Sequence, residues 1–327
     1  MSQPLLYLLV SLSLAFGFLN GFHDSSNIVA SAISSRALRP RVALWLAALA
    51  VFLGPFLFGV AVARTVGADL LVPSALGPNV VVAALAAAIL WNLATWYWGI
   101  PSSSSHALVG GLVGAAALVS GWGVIQAAGL TKVLLALFIS PPIGLVGGFV
   151  LLRLALWLLR GAAPSVNRHL RRGQVLTLIA LGLSHGTNDG QKTIAVLTLG
   201  LVTAGVLPGF EVPLWVMAAS GLSMALGTSL GGWRLIRTLG MRLFRIRPVH
   251  GFVSQVAGAG VILLAAVFGG PVSTTQVMSS AIMGAGAGQR MSQVRWLVLR
   301  EMGIAWALTI PATALLGGLI SLALAVR

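Results

Sequence analysis

Long apolar runs constrain this chain more than any other feature of its sequence. Ten segments are predominantly apolar over roughly the 20 residues that an α-helix needs to cross a bilayer. Inside a membrane the backbone must satisfy its own hydrogen bonds, so segments of this kind form spanning α-helices. We therefore expect an all-α polytopic membrane protein. The ten runs cover residues 4–35, 42–63, 80–98, 102–119, 133–159, 174–206, 213–233, 251–268, 273–289 and 301–326.

The composition excludes a soluble globular protein. Only 8% of the 327 residues are charged and 58% are hydrophobic, which leaves too little charge to cover a water-facing surface. The net charge of +15 comes from short arginine-rich connections, which indicates cytoplasmic loops and not a nucleic-acid partner. This charge pattern predicts a protein of the plasma (cytoplasmic) membrane with both termini outside. There is no cysteine, so disulfides, thiolate metal sites and cysteine nucleophiles are excluded.

Two motifs occur twice along the chain. Residues 21–24 (Gly-Phe-His-Asp) match residues 186–189 (Gly-Thr-Asn-Asp). Residues 101–106 (Pro-Ser-Ser-Ser-Ser-His) match residues 271–276 (Pro-Val-Ser-Thr-Thr-Gln), in the same order and at a similar offset along the chain. Together with the opposite charge pattern of the halves, these offsets predict two inverted-topology repeats, the arrangement of many secondary transporters. The predicted parts are a first repeat, 1–160, a basic cytoplasmic linker, 161–172, and a second repeat, 173–327.

The motifs also predict local structure. The first motif interrupts the apolar runs 4–35 and 174–206 with polar residues and glycine, which predicts broken helices beside a binding site. The second motif places proline and then hydroxyl residues at the start of an apolar run, which is typical of a helix N-terminus. We therefore expect a Ser/Thr-rich helical hairpin in each half. Whether 102–119 and 273–289 cross the membrane or re-enter stays open.

Two aspartates lie inside apolar runs, Asp24 and Asp189, and the chain has only five acidic residues. A charged carboxylate at membrane depth costs about 2.5–3.5 kcal/mol to insert, which marks it as functional by default. The alternative is a structural cap, or a pair with Lys192. Carboxylate and amide oxygens suit sodium, and carboxylate or imidazole can carry a proton. The predicted cation-coupling residues are His23, Asp24, Asn27, Asn188 and Asp189, and sodium is predicted on this set without His23.

The duplicated hairpin motif predicts an anion site. Two helix N-termini, one from each half, would direct backbone N–H groups, hydroxyls and positive dipole ends at the same point, which suits a tetrahedral oxyanion. Lys192 has two open roles, as a partner for Asp189 or as a direct contact to the anion. The predicted substrate-binding residues are Ser103, Ser104, Ser105, Ser273, Thr274, Thr275 and Lys192.

At these residues the chain resembles the inorganic phosphate transporter (PiT) family, and specifically its compact bacterial members. The resemblance rests on residues 20–36 (NGFHDSSNIVASAISSR), 184–201 (SHGTNDGQKTIAVLTLGL), 101–111 (PSSSSHALVGG) and 271–284 (PVSTTQVMSSAIMG). It implies a homodimer that cotransports inorganic phosphate with sodium or protons by alternating access, with no other cofactor. It also places phosphate on the six hydroxyl residues named above and the cations near Asp24, Asn27, Asn188 and Asp189.

Three positions depart from the family pattern. His23 stands where the family commonly has asparagine, Gln276 where it commonly has histidine, and Ser105 where it commonly has threonine. An imidazole in place of an amide oxygen weakens a sodium site and retains a protonatable group, so His23 favours proton coupling.

Other functions compete with phosphate transport. Transport of sulfate, or of another tetrahedral oxyanion, would use the same scaffold and is the closest alternative. A passive anion channel would use the same site without coupling. An intramembrane aspartyl protease is disfavoured, because its Tyr-Asp and Gly-x-Gly-Asp motifs are replaced by Phe-His-Asp and Thr-Asn-Asp. The chain is therefore predicted to be a transporter and not an enzyme.

Overall fold

The structure, a computed structural model, describes residues 3–72 and 76–325. Over these ranges it is built from helices, six of which are long and apolar enough to cross a membrane. A seventh span would be formed by Leu214–Leu230 and Trp233–Met241 together, which are bent by 59° at their junction. The prediction of an all-α polytopic membrane protein is confirmed. The helices are α1 (Gln3–Ser34), α2 (Pro40–Phe58), α3 (Ala61–Arg64), α4 (Pro78–Trp98), α5 (Ser104–Ser120), α6 (Ala127–Leu158), α7 (Val166–His185), α8 (Gln191–Thr203), α9 (Leu214–Leu230), α10 (Trp233–Arg237), α11 (Pro248–Val267), α12 (Thr274–Gln289) and α13 (Trp296–Ala325).

The paired hairpins predicted from the Ser/Thr-rich motifs are present. α5 packs against α4, which precedes it, and α12 packs against α11. α5 has 17 residues and α12 has 16. At 1.5 Å per residue each is about 25 Å long, which is shorter than the roughly 30 Å hydrocarbon core of a bilayer. α5 therefore lies at the lower limit of the roughly 17–25 residues of a spanning helix, and α12 lies just below that limit.

The predicted broken helices take a different form. α1 runs without interruption from Gln3 to Ser34, so the break expected in the first half is wrong. Ser25 and Ser26 direct their hydroxyls to carbonyls of the preceding turn, at 2.8 and 3.1 Å, and the helix continues past them. In the second half, the interruption is a π-helical turn, Gly186–Gly190, between α7 and α8. This turn has a glycine at each end, and the chain stays helical through it.

The packing of the two halves follows matching pairs of helices. α1 packs on α9 and α2 on α7, while α5 packs on α13 and α12 on α6. Each of these contacts joins a helix of one half to a helix of the other. Glycines line them and allow the backbones to approach closely, as is common between membrane helices. The repeated order of elements agrees with a duplicated unit, while the inverted orientation of the halves stays a prediction.

Gly186 offers a direct test of this close packing. A Cβ at this position would overlap the backbone carbonyl of Val51 in α2, which cannot rotate away. We expect Gly186→Ala to lower the stability of the purified protein by about 1–3 kcal/mol, measured by thermal unfolding in detergent. Gly260→Ala is the control, because a Cβ on this exposed glycine of α11 meets no atom within 4 Å. Equal melting temperatures for the two variants would contradict the proposed backbone contact.

Candidate anion and cation site

The N-termini of α5 and α12 are capped in the same way. The Ser103 hydroxyl accepts a hydrogen bond from the backbone N–H of His106 at 3.1 Å, and the Ser273 hydroxyl accepts one from the backbone N–H of Gln276 at 3.4 Å. Ser103 Oγ also lies 2.7 Å from His106 Nδ1. Both caps satisfy donors that a helix N-terminus would otherwise leave free. The two predicted substrate-binding residues Ser103 and Ser273 therefore shape the helix ends with their side chains.

These two N-termini meet at a single carboxylate. Ser104 at the start of α5 donates to Asp24 Oδ2 at 3.3 Å, and Thr275 in the first turn of α12 donates to Asp24 Oδ1 at 3.0 Å. Ser105 donates to the carbonyl of Val272 at 3.0 Å, so the start of α5 touches the segment that leads into α12. The hydroxyls predicted to converge from opposite halves are thus in one place, and all are buried.

Asp24 is fully buried and contacts mostly neutral donors. Asn27 Nδ2 donates to Asp24 Oδ1 and to Thr275 Oγ1, both at 3.0 Å. The imidazole Nδ1 of His23 lies 3.5 Å from the same carboxylate oxygen. Within residues 3–72 and 76–325, neither ring nitrogen of His23 has a hydrogen-bond partner, and no lysine or arginine forms an ion pair with Asp24. Among the described residues, His23 is therefore the one basic side chain within 4 Å of this carboxylate.

Asp189 forms an ion pair with a lysine of the same helical segment. The ammonium group of Lys192 lies 2.5 Å from Asp189 Oδ1. The same group donates to the hydroxyl of Ser105 at 2.5 Å and to the carbonyl of Val272 at 2.7 Å. An ammonium group has three N–H donors, so these three oxygens use all of them. The structure thus has Lys192 in contact with Asp189, the first of the two roles left open by the sequence, and its contact with an anion stays a prediction.

Three oxygens of the predicted cation-coupling residues have no hydrogen-bond donor within the described ranges. They are Asn27 Oδ1, Asn188 Oδ1 and Asp189 Oδ2, and all are buried. The amide nitrogen of Asn188 is held by the carbonyl of Gly270 at 3.0 Å, which fixes the side chain. Buried acceptors without a donor cost about 1–3 kcal/mol each, which fits oxygens that bind a cation or ordered water.

Sequence reasoning missed several members of the site. The carbonyl of Val272 accepts a hydrogen bond from Lys192, and that of Gly270 accepts one from Asn188. Every residue has a backbone carbonyl, so residue type does not predict these contacts. Asn20 is buried in α1 with neither side-chain polar atom bonded in the part of the chain described. It lies four residues before Asp24, a spacing that places both on one helix face and could have identified it. Thr274, which was predicted, is buried at the first position of α12.

Apolar helices that enclose carboxylates, hydroxyls and two converging helix N-termini define a membrane transport protein. Most of the sequence matches one family of such proteins: the phosphate transporter family model matches residues 20–317. The chain belongs to this phosphate transporter family. The resemblance found in the motifs is thereby confirmed, and the relatives are named as transporters, as expected for a protein that is not an enzyme.

Named relatives cover almost the whole chain. A protein of Bacillus subtilis (strain 168) is 42% identical over 316 residues, covering 95% of each chain. One of Rhizobium meliloti (strain 1021) is 41% identical over 318 residues, covering 97% of this chain and 95% of its own. Both are named "Probable low-affinity inorganic phosphate transporter". A solved structure named "The sodium-dependent phosphate transporter" is 23% identical, matches 99% of this chain and 100% of its own with a TM-score of 0.89, and shares the fold.

Proposed function

We propose that the protein imports inorganic phosphate by alternating access, coupled to a sodium ion or a proton. The observation that carries this proposal is the pair of hydroxyls, Ser104 and Thr275, that reach one buried carboxylate from opposite halves of the chain. Membership of the phosphate transporter family and the names of the relatives support phosphate as the substrate. The name of the structural neighbour supports sodium, while His23 beside Asp24 supports a proton.

We assign phosphate to the facing ends of α5 and α12. Their backbone N–H groups and dipoles attract an anion, and hydroxyls donate to its oxygens without a dedicated arginine. Lys192 adds positive charge behind Ser105 while its own donors remain bound to the protein. The residues assigned to substrate are Ser103, Ser104, Ser105, Ser273, Thr274 and Thr275, with Lys192 as the adjacent charge.

Coupling follows from competition for the same donors. Asp24 now accepts the hydrogen bonds of Ser104 and Thr275, which a bound phosphate would also need. A buried carboxylate and a phosphate also repel each other strongly where the dielectric constant is low. Sodium at Asp24 and Asn27, or a proton on Asp24 or His23, removes that repulsion and frees the hydroxyls, which can rotate toward the anion. The site then favours phosphate and cation together over either one alone.

The remaining features of the proposal concern the whole molecule. We propose two inverted repeats, 1–160 and 173–327, joined by the basic linker 161–172 on the cytoplasmic side. The protein would lie in the plasma (cytoplasmic) membrane with both termini outside and would form a homodimer. The arginine-rich connections support this orientation, because positively charged loops remain on the cytoplasmic side.

Uptake of labelled phosphate into proteoliposomes tests this function. An imposed sodium gradient is compared with an imposed proton gradient, with excess unlabelled sulfate as competitor in each. We expect phosphate to accumulate above its equilibrium level under one gradient and sulfate to leave that uptake unchanged. Equilibration without accumulation would indicate a passive anion pathway. Suppression of uptake by sulfate would indicate that the scaffold is assigned correctly and that phosphate is the wrong substrate.

A further inference from the structure

One difference between the two halves lies three residues after each aspartate of the duplicated site. Asn27 comes three residues after Asp24, and Lys192 comes three residues after the matching Asp189. Asn27 donates to its aspartate and to the hydroxyl of Thr275 in the other half. Lys192 likewise donates to its aspartate and to a hydroxyl of the other half. An amide and an ammonium group therefore occupy matching places.

The hydroxyl partners match as well. Thr275, the partner of Asn27, comes four residues after Pro271, which begins its motif. Ser105, the partner of Lys192, comes four residues after the matching Pro101. Each cluster thus consists of an aspartate, a side chain one turn later and a hydroxyl from the opposite hairpin. The clusters agree in geometry and differ by one positive charge.

We propose that the ammonium group of Lys192 takes the place of a mobile cation in the second half. This inference rests on the proposed function, and it limits the exchangeable cation to the cluster of Asp24 and Asn27. Of the two pseudo-symmetric cation positions, one would be filled by the lysine side chain and the other by a mobile ion. Lys192 would thereby determine how many coupling ions accompany each phosphate.

The oxygens around Lys192 support this role. A carboxylate, a hydroxyl and a backbone carbonyl, from Asp189, Ser105 and Val272, lie 2.5–2.7 Å from the ammonium nitrogen. Oxygen donors of these three kinds are the ligands that hard cations prefer. With Lys192 in place Asp189 is already neutralised, whereas the matching Asp24 contacts only amide, hydroxyl and imidazole groups in the part of the chain described.

Lys192→Asn would return the second cluster to the composition of the first and open it to a cation. We would compare it with Lys192→Met, which removes the charge and supplies no oxygen ligand. The purified full-length proteins would be heated in detergent with either sodium chloride or N-methylglucamine chloride at equal ionic strength, without phosphate. We expect Lys192→Asn to be stabilised by sodium at least twice as much as the native protein, and Lys192→Met no more than the native protein. Equal sodium responses in all three would overturn the inference.

The reciprocal variant provides a second measurement, which also applies if Lys192→Asn fails to fold. Asn27→Lys would place an ammonium group in both clusters and leave no mobile cation site. In proteoliposomes it is expected to equilibrate phosphate and to lose accumulation under sodium and proton gradients alike. Accumulation at the native level would overturn the inference. Failure of the native protein to transport phosphate would instead contradict the proposed function. The sodium response is measured without phosphate, so it would still test the role of Lys192.

Discussion

Asp24→Asn is expected to reduce gradient-driven phosphate uptake by about 100-fold while the protein still folds and inserts. Asparagine keeps the shape of the side chain and one acceptor oxygen, so it can still accept a hydrogen bond from one of the two hydroxyls that Asp24 binds, Ser104 or Thr275. It removes the negative charge that binds sodium or a proton, and a hydrogen bond to a charged group is worth about 1.5–3 kcal/mol. Because about 1.4 kcal/mol corresponds to tenfold, the upper part of this range gives the expected loss. Initial rates of labelled uptake into proteoliposomes measure the effect.

Asp69→Asn is the matched control for this variant. Asp69 is exposed and forms no ion pair within the described ranges, so its removal tests the general effect of losing one acidic residue. We expect its uptake to remain within about twofold of the native protein, as is usual for a surface substitution worth less than about 0.5 kcal/mol. Full gradient-driven uptake by Asp24→Asn would contradict the coupling role of Asp24.

Removing the two hydroxyls that meet at Asp24 is expected to weaken phosphate binding strongly. In Ser104→Ala combined with Thr275→Val, the facing helix ends keep their backbone N–H groups but lose one donor each. Hydrogen bonds to a charged acceptor are worth about 1.5–3 kcal/mol, so the KM for phosphate should rise about 100-fold or more. The concentration dependence of uptake measures this change.

Ser279→Ala provides a control for that double variant within the same helix. Ser279 is buried one turn further along α12, and its hydroxyl forms no hydrogen bond within the part of the chain described. We expect the KM of Ser279→Ala to stay close to the native value. An unchanged KM in the double variant would show that Ser104 and Thr275 do not bind the substrate.

The residues of the site were predictable because they break a strong rule of membrane sequences. Asp24 and Asp189 are polar groups inside apolar runs, and such residues are retained at a cost that only a function or a specific partner offsets. The hydroxyl motifs were predictable as helix N-termini, and their meeting at Asp24 agrees with the duplication. The equivalence of Asn27 and Lys192 was also present in the numbering, since each follows its aspartate by the same number of positions.

Other parts depend on local backbone geometry that residue types do not record. The first motif predicts a helix break, yet α1 continues through it, and its serine hydroxyls bond to carbonyls of the preceding turn. The second copy of this motif, at 186–189, lies in a π-helical turn that begins and ends with glycine. The carbonyls of Gly270 and Val272 enter the site through the path of the chain before α12, which no side chain specifies.

The glycine-lined contacts of α5 with α13 and of α6 with α12 bear on how the site could move. Interlocked side chains must separate before one helix shifts past another, because protein interiors are densely packed. Gly114 against the backbone of Ala314, and Gly148 against that of Ala281, present no side chain that must first be withdrawn. Translation of one helix along the other can then keep van der Waals contact throughout, as in shear motions. Such a displacement would move the hydroxyl-bearing ends of α5 and α12 relative to α13 and α6, as the proposed alternating access requires.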